Sequence, residues 1–166
     1  NDTHSFIFYN RNELDITDFK KTNKAIIDTK PDIIINAAAY TNVDQAEMNA
    51  KDAHLTNHLA VENLSSISKQ INSVLIHIST DYVFDGESCS PYMPTDSTNP
   101  QCVYGESKLN GEKSIIKSEC KYLIIRTSWI FSKYGKNFLK TMIDLSKSKD
   151  EISVINDQYG SPTYAK

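Results

Sequence analysis

The chain has 166 residues, of which 39% are hydrophobic and 23% are charged, and its formal net charge is -3. This length fits one domain with a substantial core, and the composition is that of an ordinary globular protein. The acidic balance and the lack of a basic block give no electrostatic reason to expect a nucleic-acid partner. No apolar run approaches the ~18 residues of a membrane span. The first residues, 1–4, lack a signal pattern, so we expect a cytoplasmic protein without a membrane partner.

The predicted elements alternate between strands and helices along the chain. Ser5–Tyr9 is predicted as a short strand, and a helix capped by Thr17 is predicted to end near Lys30. The β-branched run Ile33–Ile35 is typical of a central parallel strand covered on both faces. A long helix with an apolar stripe is predicted over Asn49–Ile71.

The second half of the chain continues the same alternation. Its predicted elements are a strand at Val74–Ile78, a loop over Asp85–Pro100, a helix from about Val103 to Lys117, a strand at Tyr122–Ile125, a helix at Asn137–Ser146 and a last strand at Glu151–Ile155. Strands alternating with helices predict the α/β class, with a Rossmann-type, doubly wound parallel sheet and helices on both faces. We find no repeat or linker, so residues 1–166 are predicted to form a single domain.

The stretch between Thr80 and Lys108 carries the candidate chemistry. Tyr104 and Lys108 are four residues apart, so on a helix their side chains share one face. An ammonium beside a phenol is expected to lower the tyrosine pKa from about 10 towards working pH, where the tyrosine exchanges a proton with a substrate oxygen. Thr80, at the end of a predicted strand, offers a hydroxyl to the same oxygen. Taken alone, the spacing is more typical of the face of an ordinary amphipathic helix.

Further segments accompany this stretch in a defined order. They are Pro31–Asp44, Arg126–Trp129 and Ser153–Thr163. Together with Thr80 and the Tyr-x-x-x-Lys pattern, they resemble the extended short-chain dehydrogenase/reductases. Within that superfamily, the chain is most similar to the dTDP-4-dehydrorhamnose reductase family.

The resemblance implies hydride transfer from NADPH or NADH to the C4 ketone of a nucleotide sugar, dTDP-4-dehydro-L-rhamnose. Tyr104 would be the general acid, and Lys108 would tune it and bind the nicotinamide ribose. Thr80 would hydrogen-bond the reacting carbonyl, while Asp81 and Trp129 would contact the substrate. The resemblance also allows a homodimer.

The cofactor contacts implied by the resemblance are Asn10, Asp15, Ile16, Ala39, Tyr40, Thr41, Tyr104 and Lys108. In this fold a carboxylate at the end of the first visible strand would favour NAD, because it accepts a hydrogen bond from the ribose 2′-hydroxyl. Asn10 lacks that carboxylate, and Arg11 offers a cation for a 2′-phosphate, so NADPH is slightly favoured. Arg11 is equally well explained as a solvated charge.

Glycine is sparse at the start of the chain. Nucleotide-binding folds of this type begin with a strand and a glycine-rich turn whose amides hold the pyrophosphate. None of the five glycines precedes the first predicted strand. We therefore expect that the family's glycine motif and its sugar-binding portion are not present in these residues. On that expectation, a polypeptide of residues 1–166 alone would bind NAD(P)H very weakly.

Other classes of function remain open at this point. A related nucleotide-sugar dehydratase or epimerase is one, although the dehydratases of this group place an Asp-Glu pair after the catalytic threonine and Asp81 is followed by Tyr82. A non-catalytic regulatory subunit of the same fold, like that of methionine adenosyltransferase, is another.

His54 and His58 have a spacing that suits a metal on a helix, but without a neighbouring glutamate a solvated pair is favoured, and we expect no metal. Three cysteines without metal-ligand spacing favour reduced thiols.

Overall fold

A computed structural model describes residues 4–156, 158 and 160–166, which fall into two compact units that divide between Ile125 and Arg126. The first unit contains helices α1 (Phe19–Thr29), α2 (Val43–Met48), α3 (Ala50–His54), α4 (Ala60–Gln70) and α5 (Val103–Ser118), and strands β1 (Ile33–Asn36) and β2 (Val74–Thr80). Strand β3 (Lys121–Thr127) crosses the division. The second unit contains β4 (Ile130–Phe131), α6 (Phe138–Ser146) and β5 (Thr163–Tyr164). Asp157 and Tyr159, which belong to one of the segments in the family resemblance, lie outside the described residues.

The central feature of the first unit is a three-stranded sheet with the order β1-β2-β3. β1 and β2 are parallel, in a register that pairs Ile33 with Val74 and Asn36 with His77. A parallel pair needs a crossover connection, and helices α2, α3 and α4 supply it. The predicted α/β class and the helices that flank β2 are confirmed.

The core lies where helices α1, α4 and α5 pack with β2. Its buried members are Ile26, Val61, Leu64, Ile67, Leu75, Ile115 and Cys120. A smaller cluster of Val83, Phe84 and Leu109, covered by Tyr92, fixes the loop after β2 to α5. Burial of these apolar side chains is the main force that holds the end of β2 against the start of α5.

The long helix predicted over Asn49–Ile71 is present, but it contains one π-helical turn at Leu55–Leu59, between α3 and α4. A π turn inserts an extra residue and so rotates the side chains that precede it relative to those that follow. Leu64 and Ile67 consequently reach the core, whereas Leu59 is 41% exposed. The apolar stripe of the sequence is therefore interrupted at the π turn.

Two predicted strands are wrong. Residues 5–9 have no strand partner among the described residues, and the side chains of Phe6 and Phe8 are exposed. Residues 151–155 are also irregular, and the last strand is instead β5, which pairs in parallel with β4. A strand is defined by its backbone partner as well as its residue types, and the partner cannot be read from the local sequence.

Two further details differ from the sequence-based expectations. Asp18, not Thr17, caps α1, and its Oδ1 accepts from the backbone N–H of Lys21 at 3.0 Å. β1 is open on one side, because Ile33 and Ile35 are 53% and 60% exposed. β1 is therefore not covered on both faces by the described residues, contrary to the expectation.

Across the described ranges, no helix has the length and apolar character needed to cross a bilayer.

Candidate active site

The end of β2 and the start of α5 bring the predicted catalytic side chains together. Thr80 is buried, and its Oγ1 accepts from the backbone N–H of Tyr82 and donates to Oδ1 of Asp81, both at 3.2 Å. The Tyr104 side chain lies close enough to the Thr80 hydroxyl for that hydroxyl to act on the Tyr104 pKa, which it lowers. Asp81 begins a short 3₁₀ turn that carries the chain away from the strand. The structure thus places Thr80, Asp81 and Tyr104 at one point.

The close approach of α5 to this turn depends on Gly105. A β-carbon at this position would overlap the carbonyl oxygen of Tyr82. The ring of Tyr82 meets that of Tyr104 edge to face, with centroids 5.5 Å apart. A glycine beside the candidate tyrosine therefore lets the helix carry Tyr104 up to the strand end.

The ionisation of Tyr104 differs from the sequence-based expectation. Burial raises its pKa above the ordinary value, and the negative charge of Asp81 adds to this, while the hydrogen bond with Thr80 acts in the opposite direction. The predicted lowering by Lys108 is wrong. The Lys108 Nζ turns towards β2, where it donates to the carbonyl oxygen of Ile78 at 2.6 Å. Tyr104 therefore holds its proton at neutral pH, as a general acid must.

Lys108 is one of the most deeply buried side chains of the molecule, with 2% exposure. Burial lowers its pKa to about 8, although the charge of Glu112 on the same helix favours the ammonium form. A buried lysine gives up its proton more easily because the interior solvates the charged form poorly. Lys108 therefore changes charge close to working pH.

His77 lies beneath this site and is fully buried. Its Nδ1 is 3.1 Å from Nδ2 of Asn36, and its Nε2 is 3.2 Å from Nζ of Lys108. Burial lowers the pKa of His77 to about 3, and the nearby Lys108 charge acts in the same direction. Sequence reasoning did not identify His77 as part of the site. The available signal was a titratable residue in the middle of the apolar run Val74–Ile78.

The buried, neutral His77 predicts a loss of stability in acid. Because its folded-state pKa of about 3 lies below the ordinary 6.5, the unfolded chain binds a proton that the folded chain does not. The free energy of unfolding should therefore fall as pH drops from about 6.5 towards 3, by about 2 kcal/mol at pH 5 from this group. His77→Gln removes this contribution. The measurement is denaturant unfolding of both proteins at pH 7 and pH 5.

The control is Leu75→Met, which alters a buried neighbour on the same face of β2 without removing a titrating group. Its stability difference from the wild type should be the same at both pH values. Wild-type and His77→Gln stabilities that also run parallel between pH 7 and pH 5 would show that the pKa of His77 is the same in the folded and unfolded protein.

Asn57 connects α5 to the loop after β1. It is buried in the π-helical turn, where its Oδ1 accepts from the backbone N–H of Tyr40 at 2.8 Å. Its Nδ2 donates to the Tyr40 carbonyl and to Oγ of Ser107, each at 3.0 Å. Ser107 in turn donates to the carbonyl of Tyr104 at 2.7 Å. One side chain thus fixes the position of Tyr40 relative to the Tyr104 turn, at a π turn of the kind often found at functional sites.

The same contact between helices depends on Gly111. A β-carbon at this position would overlap the carbonyl oxygen of Asn57. Because that oxygen is part of the backbone, it cannot move away by a change of rotamer. Gly111→Ala is therefore expected to destabilise the protein by about 1–3 kcal/mol, the usual cost of overpacking, against a gain in helix propensity of at most about 1 kcal/mol. Thermal or denaturant unfolding measures the effect.

Lys113→Ala is the matched control, because it makes an alanine two residues away on the exposed side of the same helix. Its effect should stay within about 0.5 kcal/mol. A Gly111→Ala variant as stable as Lys113→Ala would mean that the two helices are free to separate at this point.

An open cleft of about 420 Å³ lies beside the loop that Asn57 holds. Its lining residues are Arg11, Thr17, Tyr40, Asp52, Leu55 and Thr56. Arg11 Nε lies 3.3 Å from Oδ2 of Asp15, and the hydrogen bonds from Thr17 are the main cause of a lowered Asp15 pKa. The structure thus brings Tyr40 and Arg11 to one cleft. Asp15 accepts hydrogen bonds from two residues that line it, Arg11 and Thr17.

The other predicted cofactor contacts surround this region of the first unit. Asn10 is exposed, and its Oδ1 accepts from the backbone N–H groups of Asn12 and Glu13 at 2.9 and 3.2 Å. Ile16 and Ala39 are half-buried, and Thr41 is exposed. Asn10 thus stabilises the turn that carries Arg11, which lines the cleft.

Trp129 belongs to the second unit, where its backbone adopts a left-handed conformation with φ of 47°. Its ring meets Phe138 edge to face at 5.4 Å, and Gly160 packs so closely on the indole that a β-carbon there would overlap it. A bulky residue at positive φ is uncommon and is held in place by its surroundings. Trp129 is therefore fixed and partly exposed within its own unit.

The histidine pair and the cysteines show no metal site. The rings of His54 and His58 meet edge to face at 6.1 Å. No group of three or more potential metal ligands occurs within the part of the chain that the structure describes. The thiols of Cys89, Cys102 and Cys120 are free.

A parallel strand pair joined by crossover helices, and a threonine at a strand end beside the tyrosine of a Tyr-x-x-x-Lys helix, are the features of a Rossmann-type protein of the short-chain dehydrogenase/reductase class. Comparison with known sequences makes the assignment specific. The family described as "RmlD substrate binding domain" matches residues 1–166. The chain belongs to this family.

Relatives and solved structures agree with this assignment. The dTDP-4-dehydrorhamnose reductase of Aggregatibacter actinomycetemcomitans is 47% identical over 153 residues, which are 92% of this chain and 52% of that protein. The enzyme of the same name from Escherichia coli K12 is 48% identical over 137 residues, covering 82% and 46%. A crystal structure of dTDP-4-dehydrorhamnose reductase from Bacillus anthracis in complex with NADP superposes with a TM-score of 0.93 at 42% identity, covering 97% of this chain and 57% of that one. The chain thus spans about half the length of these relatives.

Proposed function

We propose that the protein is an NADPH-dependent (or NADH-dependent) reductase that converts dTDP-4-dehydro-L-rhamnose to dTDP-L-rhamnose, a precursor of cell-surface polysaccharide. The observation that carries the proposal is the convergence of the Thr80 hydroxyl, at the end of β2, and the Tyr104 phenol, at the start of α5. Relatives with 47% and 48% identity carry the corresponding enzyme name. A cytoplasmic location and a homodimer complete the proposal.

The residues present fit a nicotinamide dinucleotide. The cleft of about 420 Å³ combines an aromatic ring, Tyr40, with a cation, Arg11, a pair suited to an adenine and a phosphate. Small residues follow β1, and small side chains let a ligand approach the backbone closely. We propose that Asn10, Asp15, Ile16, Ala39, Tyr40 and Thr41 hold the adenosine side and that Tyr104 and Lys108 hold the nicotinamide side. Residues 1–166 would then form one NAD(P)-binding domain.

The proposed chemistry assigns one task to each side chain. Bound NADPH supplies the hydride to the C4 carbon of the sugar. Thr80 donates to the carbonyl oxygen and orients it, and Tyr104 gives its proton to that oxygen as negative charge develops. Burial keeps Tyr104 protonated beforehand, so the proton is available when it is needed. Asp81 and Trp129 contact the sugar nucleotide.

The rival activities differ in what they require near Thr80. A dehydratase of this group needs a second acid beside Asp81. That position is Tyr82, whose ring packs against Tyr104 instead. This contact favours the reductase over the dehydratase.

The test uses the full-length protein with NADPH and purified dTDP-4-dehydro-L-rhamnose. We expect NADPH oxidation in proportion to the sugar added, with dTDP-L-rhamnose as the product by NMR spectroscopy. Conversion of the ketone without net NADPH oxidation would identify an epimerase or dehydratase. Tight binding of either ligand without turnover would identify a regulatory subunit.

A further inference from the structure

A chain of buried and part-buried hydrogen bonds runs from the loop after β1 to Lys108. The backbone N–H of Ala38 donates to Oδ1 of Asn36 at 3.1 Å, and Nδ2 of Asn36 faces Nδ1 of His77 at 3.1 Å. Nε2 of His77 faces Nζ of Lys108 at 3.2 Å, and Nζ donates to the carbonyl of Ile78 at 2.6 Å. The parallel register places Asn36 beside His77, so the strands themselves build this contact.

The direction of each hydrogen bond follows from the first one. The N–H of Ala38 requires an acceptor, which fixes the oxygen of the Asn36 amide on that side and its NH₂ group on the side of His77. Nδ1 of His77 must then accept. A neutral imidazole carries only one N–H, so the proton of His77 is on Nε2 and points at Lys108.

An Nε2–H donor facing Nζ suits a neutral amine and opposes an ammonium, since an ammonium has no lone pair with which to accept. We propose that His77 is a positioning residue that is fixed as the Nε2–H tautomer by Asn36, donates to the Lys108 amine and makes Lys108 a proton-exchanging group instead of a permanent cation. The inference rests on the proposed function only for its link to turnover. There it makes the charge of Lys108, one helical turn along α5 from Tyr104, dependent on pH.

Other groups around Lys108 act on the same equilibrium. Glu112, buried on α5, favours the ammonium through its charge, and it accepts from the hydroxyl of Ser79 on β2. Burial favours the amine and is the larger effect, in agreement with a Lys108 pKa of about 8. Tyr104 on α5 is neutral at this pH, and Asn36 on β1 carries no charge. The tautomer of His77 thus decides that its Nε2 faces Lys108 Nζ as a hydrogen-bond donor.

The first test reads the tautomer directly and needs no substrate. Full-length protein labelled with ¹⁵N-histidine gives ring nitrogen–proton correlations, and the His77 signals are assigned by their loss in His77→Gln. We expect a neutral ring with the proton on Nε2 at pH 7. A proton on Nδ1, or on both nitrogens, would overturn the proposal.

The second test reads the charge of Lys108. Protein labelled with ¹³Cε-lysine is titrated by NMR, with the Lys108 signal assigned by its loss in Lys108→Met. In His77→Phe, which keeps a ring but removes the donor, the midpoint of Lys108 should rise by about one pH unit, the worth of one hydrogen bond. Leu75→Met, which changes a buried neighbour on the same strand, should leave the midpoint where it is.

Asn36→Asp gives an independent variant should His77→Phe not fold. It retains an acceptor for the Ala38 N–H but replaces the donor that faces Nδ1, so His77 should switch to the Nδ1–H tautomer, which the ¹⁵N-histidine spectrum reads directly. An unchanged or lower Lys108 midpoint in folded His77→Phe, or a ring that keeps its proton on Nε2 in folded Asn36→Asp, would overturn the proposal. Both tests are independent of catalysis, so a protein that passes them without reducing the sugar would contradict the proposed function and leave the role of His77 intact.

Discussion

Replacing Tyr104 with phenylalanine is expected to lower the turnover of the full-length protein by about 10²–10⁴-fold, the usual contribution of a positioned general acid. Phenylalanine keeps the ring that packs edge to face on Tyr82 and removes only the phenol hydroxyl near Thr80. The fold and the affinity for NADPH should therefore change little. Steady-state kinetics with the nucleotide sugar and fluorescence titration with NADPH measure the two effects separately.

Tyr82→Phe is the matched control, because it removes the phenol hydroxyl of the ring that touches Tyr104. It should turn over at close to the wild-type rate. Equal rates for Tyr104→Phe and the wild type would refute the assigned proton donor. Equal losses in both variants would show that the ring pair, rather than the Tyr104 hydroxyl, supports turnover.

Replacing Asn57 with leucine is expected to destabilise the protein by about 3 kcal/mol or more, since buried groups left without a partner cost about 1–3 kcal/mol each. The variant has a similar volume but leaves the N–H and carbonyl of Tyr40 and the hydroxyl of Ser107 without their Asn57 contacts. Denaturant unfolding measures the loss. Hydrogen exchange at the Tyr40 amide should also become faster, because that amide loses its acceptor.

Asn63→Leu provides the comparison, since Asn63 lies on α4 in the same long helix and its Nδ2 donates to Oδ1 of Asn23 at 2.9 Å. It should cost about 1 kcal/mol or less. If Asn57→Leu is no more destabilising than Asn63→Leu, the Tyr40 loop is held by other contacts, and the clamp assigned to Asn57 is wrong.

Local patterns in the sequence predicted the elements that bury an apolar face. The run around Leu75 became β2, and the helix that begins near Val103 became α5, with Tyr104 and Lys108 on it as expected. These predictions hold because periodic burial and helix capping are encoded by neighbouring residues. The strands at residues 5–9 and 151–155 were wrong because strand formation needs a partner that the local sequence does not specify.

The sequence by itself determined the class of fold, the family and the presence of Thr80, Tyr104 and Lys108 in the order that the chemistry needs. Only the tertiary structure decided their ionisation. Burial, not the neighbouring lysine, sets the pKa of Tyr104, and the parallel register of β1 and β2 places Asn36 and His77 beside Lys108. The sequence likewise did not predict the π-helical turn that carries Asn57. Solvation and hydrogen bonding between distant segments depend on how the chain packs, so residue type and spacing along the sequence cannot specify them.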